Sequence, residues 1–215
     1  MADPDFSRAA IVACGTLSPE LNYLKAEGWL NAGKIVYTKP GLHQNCPELE
    51  RQLKEAVDRV VDEFDRVIVV YGGKYCYVNA NDPTRTMADI IGELGPKVVR
   101  IQATHCMDMV ASEAERDELA AGEKIWWMTP GWVKYRHKVF EGWDKGIANE
   151  NFPRHTGGAR VLDGIGLCEE YLNERPEEIL DYSDWMGIPL MGVPMTLDRL
   201  KALLIDALET DQPLR

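Results

Sequence analysis

Short apolar runs alternate with amphipathic segments over the first 130 residues of the chain. Five of the runs are mostly rich in β-branched or aromatic residues, which is typical of buried strands. They cover residues 9–14, 34–39, 66–71, 97–103 and 124–129. Because helical patterns separate these strands, the order predicts an α/β fold with a mainly parallel sheet, Rossmann-like, and helices on both faces.

The clearest helical pattern lies between the second and third strands. Residues 47–64 begin with a proline that suits a first helical turn. One face of this helix carries Leu49, Leu53, Val57, Val60, Val61 and Phe64. Weaker helical patterns cover residues 83–94 and 107–122.

The alternation loosens after Pro130. The pattern there predicts an aromatic helix, a turn-rich segment over 149–158, a helix to about residue 172, a strand near 179–182 and a closing helix from about 197. We expect a single α/β domain over residues 1–215, in which 9–135 form the alternating core and 136–215 a more helical completion.

Composition and charge narrow the classes of function. The net charge of −11 and the pI near 4.9 argue against binding to a phosphate backbone, because the only basic cluster, at 134–138, is short. The chain lacks an apolar run of about 18 residues and begins with an acidic segment, so we expect no membrane partner and a cytoplasmic location. Five cysteines, an odd number, indicate reduced thiols.

Three cysteines stand at corresponding places in the predicted strand order. Cys14 ends the first strand, Cys76 follows the third and Cys106 follows the fourth. In sheets of this kind ligands bind outside the carboxyl ends of the strands. The positions predict a metal site at that edge, although a free cysteine also packs well as a small buried side chain and no local CxxC pair is present.

Further candidates lie at the same edge. His43 and Cys46 fall between the second strand and its helix, and His105 precedes Cys106, whereas Cys168 falls inside a predicted helix. Gly72 and Gly73, followed by Lys74, would let backbone amides approach an anion, unless they form a simple turn. Trp132, beyond a Thr-Pro-Gly turn, is expected to wall a pocket. "DGIG", without a third glycine and expected within a helix, is not a dinucleotide fingerprint.

Five ordered motifs resemble one known family. The motifs are "VACGTL", "GLHQNCPEL", "VVYG", "ATHCMDM" and "WMTPGW", and they resemble landmarks of the domain of unknown function 1638 family over about 9–135, with a looser match to about 207. The resemblance implies a role in one-carbon metabolism, because family members commonly occur beside corrinoid-dependent methyltransferases for methylamines and betaines.

Carried over residue by residue, Cys14, His43, Gly72 and Cys106 match the family landmarks. Lys74 stands where the family places a cysteine, with Cys76 two residues later, and His105 stands at an acidic position. These departures leave the third and fourth ligands of the site open.

The donor set leaves three cofactors open, with zinc as the first choice. Three thiolates hold zinc with one position free, where a thiol substrate becomes a methyl acceptor. The alternatives are an iron–sulfur cluster and a corrinoid with His43 or His105 as axial ligand, although the DxHxxG corrinoid signature is absent. The expected function is therefore metal-dependent methyl transfer or corrinoid handling. The other hypothesis is a non-enzymatic accessory protein that delivers a metal or corrinoid to a partner methyltransferase.

The pair His105-Cys106 is expected to divide its roles. Adjacent residues leaving a strand point in different directions, so Cys106 is the predicted metal ligand and His105 the predicted hydrogen-bond donor to sulfur or substrate. The alternative is that His105 caps the next helix and Cys106 fills the core.

Overall fold

The computed structural model describes residues 4–210 of the chain. Seven strands run through this range: β1 (Ala9–Ala13), β2 (Lys34–Tyr37), β3 (Arg66–Val70), β4 (Val98–Arg100), β5 (Trp126–Met128), β6 (Ala159–Asp163) and β7 (Leu190–Pro194). The helices are α1 (Ser18–Ala26), α2 (Cys46–Asp58), α3 (Met87–Glu93), α4 (Glu113–Ala120), α5 (Pro130–Lys134), α6 (Arg136–Val139), α7 (Lys145–Asn151), α8 (Leu167–Glu174), α9 (Pro176–Met186) and α10 (Asp198–Glu209).

The strands form two sheets, and every pairing in both is parallel. The first sheet has the order β2-β1-β3-β4, and the second has the order β5-β6-β7. The expected α/β class and parallel pairing are confirmed. The sequence pattern indicated one sheet, and the strands instead divide into two groups between β4 and β5.

The alternation of side chains along β1 assigns the two faces of the first sheet. Ala10 and Val12 point into a buried cluster with Leu49 and Leu53 of α2. Ala9, Ile11 and Ala13 point to the opposite face, into a second cluster that also contains residues of α1, β6, α9 and α10. This second cluster joins the two sheets across one continuous apolar interior.

Two secondary-structure expectations for the C-terminal half are wrong. Residues 179–182, expected as a strand, lie inside α9, where Ile179, Tyr182 and Met186 are buried at helical spacing. The glycines of "DGIG" lie between β6 and α8 and not within a helix. Within residues 4–210, no helix is long and apolar enough to cross a membrane.

Candidate functional site

A small cavity at the carboxyl ends of β1 and β3 brings together five of the predicted site residues. Its volume is ≈ 20 Å³. Its walls include Cys14, His43, Cys76, Cys106 and Trp132, together with Thr16, Leu17, Val70, Tyr71 and Met109. Cys106 is buried, whereas Cys14 and Cys76 are half-buried, so access to this thiol cavity is from their side.

Cys14 is held at the end of β1 by the turn that follows the strand. Its sulfur lies 2.9 Å from Thr16 Oγ1, and Leu17 donates its backbone N–H to the Cys14 carbonyl at 2.9 Å. Burial raises the pKa of the Cys14 thiol, and hydrogen bonding to Thr16 acts in the opposite direction. Without a cation nearby, this sulfur therefore carries its proton at neutral pH.

Cys76 reaches the cavity because two loops pack tightly against each other. A side chain at Gly72 would overlap with the Thr104 carbonyl and with His105, so only glycine permits this approach. Burial and the neighbouring Cys14 raise the pKa of Cys76 to about 12. The backbone amides of Gly72 and Cys106 and the charge of Arg100 lower it. Burial thus dominates and Cys76 keeps its proton at neutral pH, although these neighbouring groups partly favour the thiolate.

Cys106 is the deepest of the three thiols. Trp132 donates its indole N–H to the Cys106 sulfur at 3.2 Å, and Met107 Sδ lies 3.1 Å from the same atom. Burial raises the pKa of Cys106, and the nearby Cys76 and Cys14 raise it further because a second negative charge would be repelled. The three cysteines therefore affect one another electrostatically.

Trp132 comes from the second sheet. It lies in α5, directly after β5, and the first turn of α5 rests on the loop that follows β1. A side chain at Gly131 would overlap with the Thr16 carbonyl oxygen, and Tyr135 Oη lies 2.8 Å from Ser18 Oγ. The close approach at Gly131 thus places the indole over the thiols of the first sheet.

We expect Gly131→Ala to destabilise the protein by about 3 kcal/mol or more, because the added methyl group meets a backbone carbonyl that cannot rotate away. The measurement is urea unfolding. Gly92→Ala is the matched control: Gly92 lies in α3 with open space around it, and this change should stabilise by about 0.5–1 kcal/mol. Equal stability of the two variants would contradict the packing role of Gly131.

His43 lines the same cavity. Its ring stacks on Trp132 with centroids 5.4 Å apart and an interplanar angle of 28°. The loop that carries it is fixed by Gln44 Nε2, which donates to the Val139 carbonyl at 2.6 Å. Burial lowers the pKa of His43, so the imidazole is neutral at pH 7 and has a nitrogen lone pair to offer.

The other predicted site residues lie outside the thiol cavity. His105 Nδ1 accepts the Asp108 backbone N–H at 3.0 Å, which is the capping role given above as the alternative. Gly73 and Lys74 donate their amides to the Ala103 and Thr104 carbonyls, so these two amides already have partners, as expected for the alternative of a simple turn.

Two cysteines also lie elsewhere. Cys46 donates to the Val78 carbonyl at 3.1 Å and packs among the residues against α2. Cys168 lies in α8, as expected.

A buried carboxyl group near the cavity was not anticipated. Glu20, in the first turn of α1, has no exposed surface, and within residues 4–210 neither of its carboxyl oxygens has a hydrogen-bond partner. The nearest polar groups are the Thr129 hydroxyl and the Gly131 amide. Burial raises the pKa of Glu20 to about 8, and its charge would raise the pKa of Cys14 and Cys106. A helical glutamate in the sequence gives no signal of such burial.

The thiol donors fit a soft metal ion by their chemistry, since thiolates and imidazole are preferred ligands of zinc and related ions. The separation of these donors, however, is too large for metal coordination. Across residues 4–210, no three His, Cys, Asp or Glu side chains converge closely enough to hold a metal ion as they stand. Binding an ion between Cys14, Cys76 and Cys106 therefore requires side-chain movement that draws the sulfur atoms together.

The comparison with protein families gives a match over most of the chain. The sequence model of DUF1638, described as "Protein of unknown function", matches residues 37–204. The chain belongs to the DUF1638 family. The resemblance seen in the sequence motifs is thereby confirmed. The matched range contains His43, Cys76, Cys106 and Trp132, while Cys14 precedes it. No curated protein matches the chain.

Proposed function

We propose that the DUF1638 protein binds a single soft metal ion, with zinc as the first choice, through Cys14, Cys76 and Cys106. The observation that carries the proposal is the meeting of three thiols from three separate strand ends at one cavity. Buried cysteines that serve only as small apolar side chains have no reason to share one cavity with a neutral histidine. Cys46 and Cys168 show the ordinary arrangement, because each is buried among apolar side chains and neither lines the thiol cavity.

The size of the cavity favours one ion over a larger group. A volume of ≈ 20 Å³ is close to the space of about 10–15 Å³ that one water molecule needs. Organic ligands of cofactor size usually occupy about 300–1,000 Å³. A corrinoid would require displacement of Trp132 and His43, and a cluster of several iron atoms would require wide separation of the loops.

The family resemblance gives the ion its proposed use in one-carbon metabolism. A soft Lewis acid at this position, when bound, supplies a site at which a thiol substrate is deprotonated and becomes a methyl acceptor. The half-buried side of the cavity, at Cys14 and Cys76, is where a small molecule would arrive. The protein would then act as, or together with, a methyltransferase of methylamine or betaine pathways.

One observation favours the accessory role as a second candidate. His43 lines the same cavity with a neutral imidazole and adds a possible fourth ligand. With all four positions filled by protein, the site would store or deliver an ion and would not activate a substrate. His43→Ala separates the two roles: unchanged metal content and retained binding of a small thiol to the ion favour catalysis.

The test is metal analysis and the absorption spectrum of protein purified without oxygen, followed by reloading with Co²⁺. We expect close to one metal per chain, no broad brown absorption, and intense charge-transfer bands from thiolates after Co²⁺ loading. Tryptophan fluorescence should change on loading because Trp132 donates to Cys106. A brown chromophore would show that the site holds an iron–sulfur cluster instead of a single ion. Failure of both zinc and Co²⁺ to bind would reject the proposal.

A further inference from the structure

A larger, open cavity lies beside the thiol cavity, on the same edge of the first sheet. Its volume is ≈ 480 Å³. The polar side chains in its wall belong to Lys74, Thr86, Arg100, Gln102, Thr104 and Asp108, and Gly73 also lines it. Of the three ionisable side chains in this wall, Lys74 and Arg100 are cations, although the net charge of the whole chain is −11.

Arg100 carries a positive charge that no carboxylate of the described residues compensates. Its Nη1 donates to the carbonyls of Tyr71, Ile101 and Ala103, and it forms no ion pair with any Asp or Glu of residues 4–210. Other partly buried arginines, such as Arg85 and Arg136, are paired with carboxylates. A partly buried guanidinium with only carbonyl partners retains donors and a positive charge for an anion.

The acidic residue in the wall does not cancel this charge, because it is already neutralised. Asp108 accepts the Thr104 backbone N–H at 2.8 Å and pairs with Arg199 at 3.0 Å. Arg116 lies 3.9 Å from the same carboxylate. Lys74 is exposed, and its Nζ lies 5.0 Å from the centroid of the neighbouring Tyr75 ring. Lys74 makes no ion pair among the described residues, so no carboxylate competes with a ligand for its ammonium group.

Two loops form walls of both cavities. The loop after β3 carries Lys74 in the open cavity and Cys76 in the thiol cavity. The loop after β4 likewise carries Thr104 and, two residues later, Cys106. The Arg100 guanidinium packs closely on the loop after β3, since a Cβ on Gly73 would lie 2.8 Å from Arg100 Nη2. A small molecule held at Arg100 and Lys74 would therefore contact the two loops that carry Cys76 and Cys106.

We infer that Arg100 and Lys74 form an oxyanion subsite, which binds a carboxylate, phosphate or sulfonate group of a small substrate whose other end faces the thiol cavity. The assignment of this anion to a substrate rests on the proposed function of the thiol cavity. Thr86 and Thr104 line the sides of the subsite, while their hydroxyls donate to Asp89 and Asp108. Arg100 and Lys74 therefore supply the donors for the anion. The substrate class is thus a small molecule with an oxyanion at one end, and a thiol or methyl group at the other.

The test measures thermal unfolding of the full chain with increasing phosphate, methanesulfonate or acetate, at constant ionic strength maintained with chloride. A ligand that binds only the folded state raises the midpoint in a saturable way. We expect saturation with at least one of the three probes, and the tightest probe identifies the anionic group. Lys74→Glu should weaken that binding by about tenfold through charge reversal at an exposed position.

Lys25→Glu, an equally exposed charge reversal on α1, is the matched control and should leave binding unchanged. Arg100→Gln should abolish binding. If Arg100→Gln does not fold, Lys74→Glu alone tests the inference. Equal weakening by Lys25→Glu, no effect of Lys74→Glu, or no saturation with any probe would overturn the inference. Each preparation is tested with and without bound metal, so that anion binding to metal-free protein stands even if the proposed metal site fails.

Discussion

Replacement of Cys76 or Cys106 by serine should remove most of the metal from the protein. For Cys76→Ser and Cys106→Ser we expect the affinity for zinc to fall by about a hundredfold or more, because loss of a residue that only supports a ligand already costs about 10–100-fold. The hydroxyl is a hard, neutral donor at pH 7 and does not replace a thiolate. The measurement is competition with a chromophoric chelator, with metal content determined on the same samples.

Two matched variants show whether the effect belongs to the cavity. Cys168→Ser changes a buried thiol of α8, far along the chain from the strand-end cysteines, and should leave the affinity unchanged. His105→Ala should also retain the metal, because the His105 ring accepts the Asp108 amide and is absent from the cavity wall. Full metal occupancy in Cys106→Ser would mean that this residue only fills the core.

The positions of Cys14, Cys76 and Cys106 were predictable because parallel strands expose their carboxyl ends at one edge. β1 and β3 are neighbours and β3 pairs with β4, so residues that follow these strands meet. Strand order itself is a tertiary property. The sequence therefore indicated that the three thiols share an edge, and only the structure brings them to a common cavity.

The second sheet was not predictable from the same pattern. β7 (Leu190–Pro194) contains Gly192 and ends in a proline, and it is an edge strand with much of its surface exposed. Glycine and proline weaken a strand signal, and an edge strand needs only one partner. Residues 179–182 were predicted as a strand and instead belong to a helix, because four residues are too few to separate a buried strand from one turn of a buried helix.

The contributions of Trp132, Arg100 and Glu20 depend on packing between distant segments. Trp132 was expected beside a pocket, but its hydrogen bond to Cys106 arises from the contact of α5 with the loop after β1. Arg100 was read as part of an apolar strand, and its lack of a carboxylate partner is visible only once all neighbours are placed. Glu20 is a common helical residue that becomes enclosed when α5 packs over α1.

Enclosure of Glu20 has a consequence for stability. In the folded chain burial raises its pKa to about 8, whereas in the unfolded chain the carboxyl group titrates near its usual value of 4.5. Asp163 adds to the rise, and the nearby Thr129 hydroxyl opposes it. Between pH 4.5 and 8 the folded state therefore keeps a proton that the unfolded state has lost. The stability associated with neutral Glu20 is fully present below pH 4.5 and is lost as the pH rises to about 8.

We therefore expect the free energy of unfolding to contain a component that falls by about 3–5 kcal/mol between pH 4.5 and 8, and we expect Glu20→Gln to lack it. Glutamine keeps the shape of the neutral acid but does not ionise, so the variant should be the more stable protein above pH 8. The measurement is urea unfolding of both proteins at several pH values. Burial lowers the pKa values of His43, His105 and His155, so these residues make the stability rise with pH in both proteins. Subtracting one pH profile from the other removes this shared contribution. Parallel pH profiles for the two proteins would show that Glu20 is ionised in the folded state, and that an unseen partner compensates its charge beside the thiol cavity.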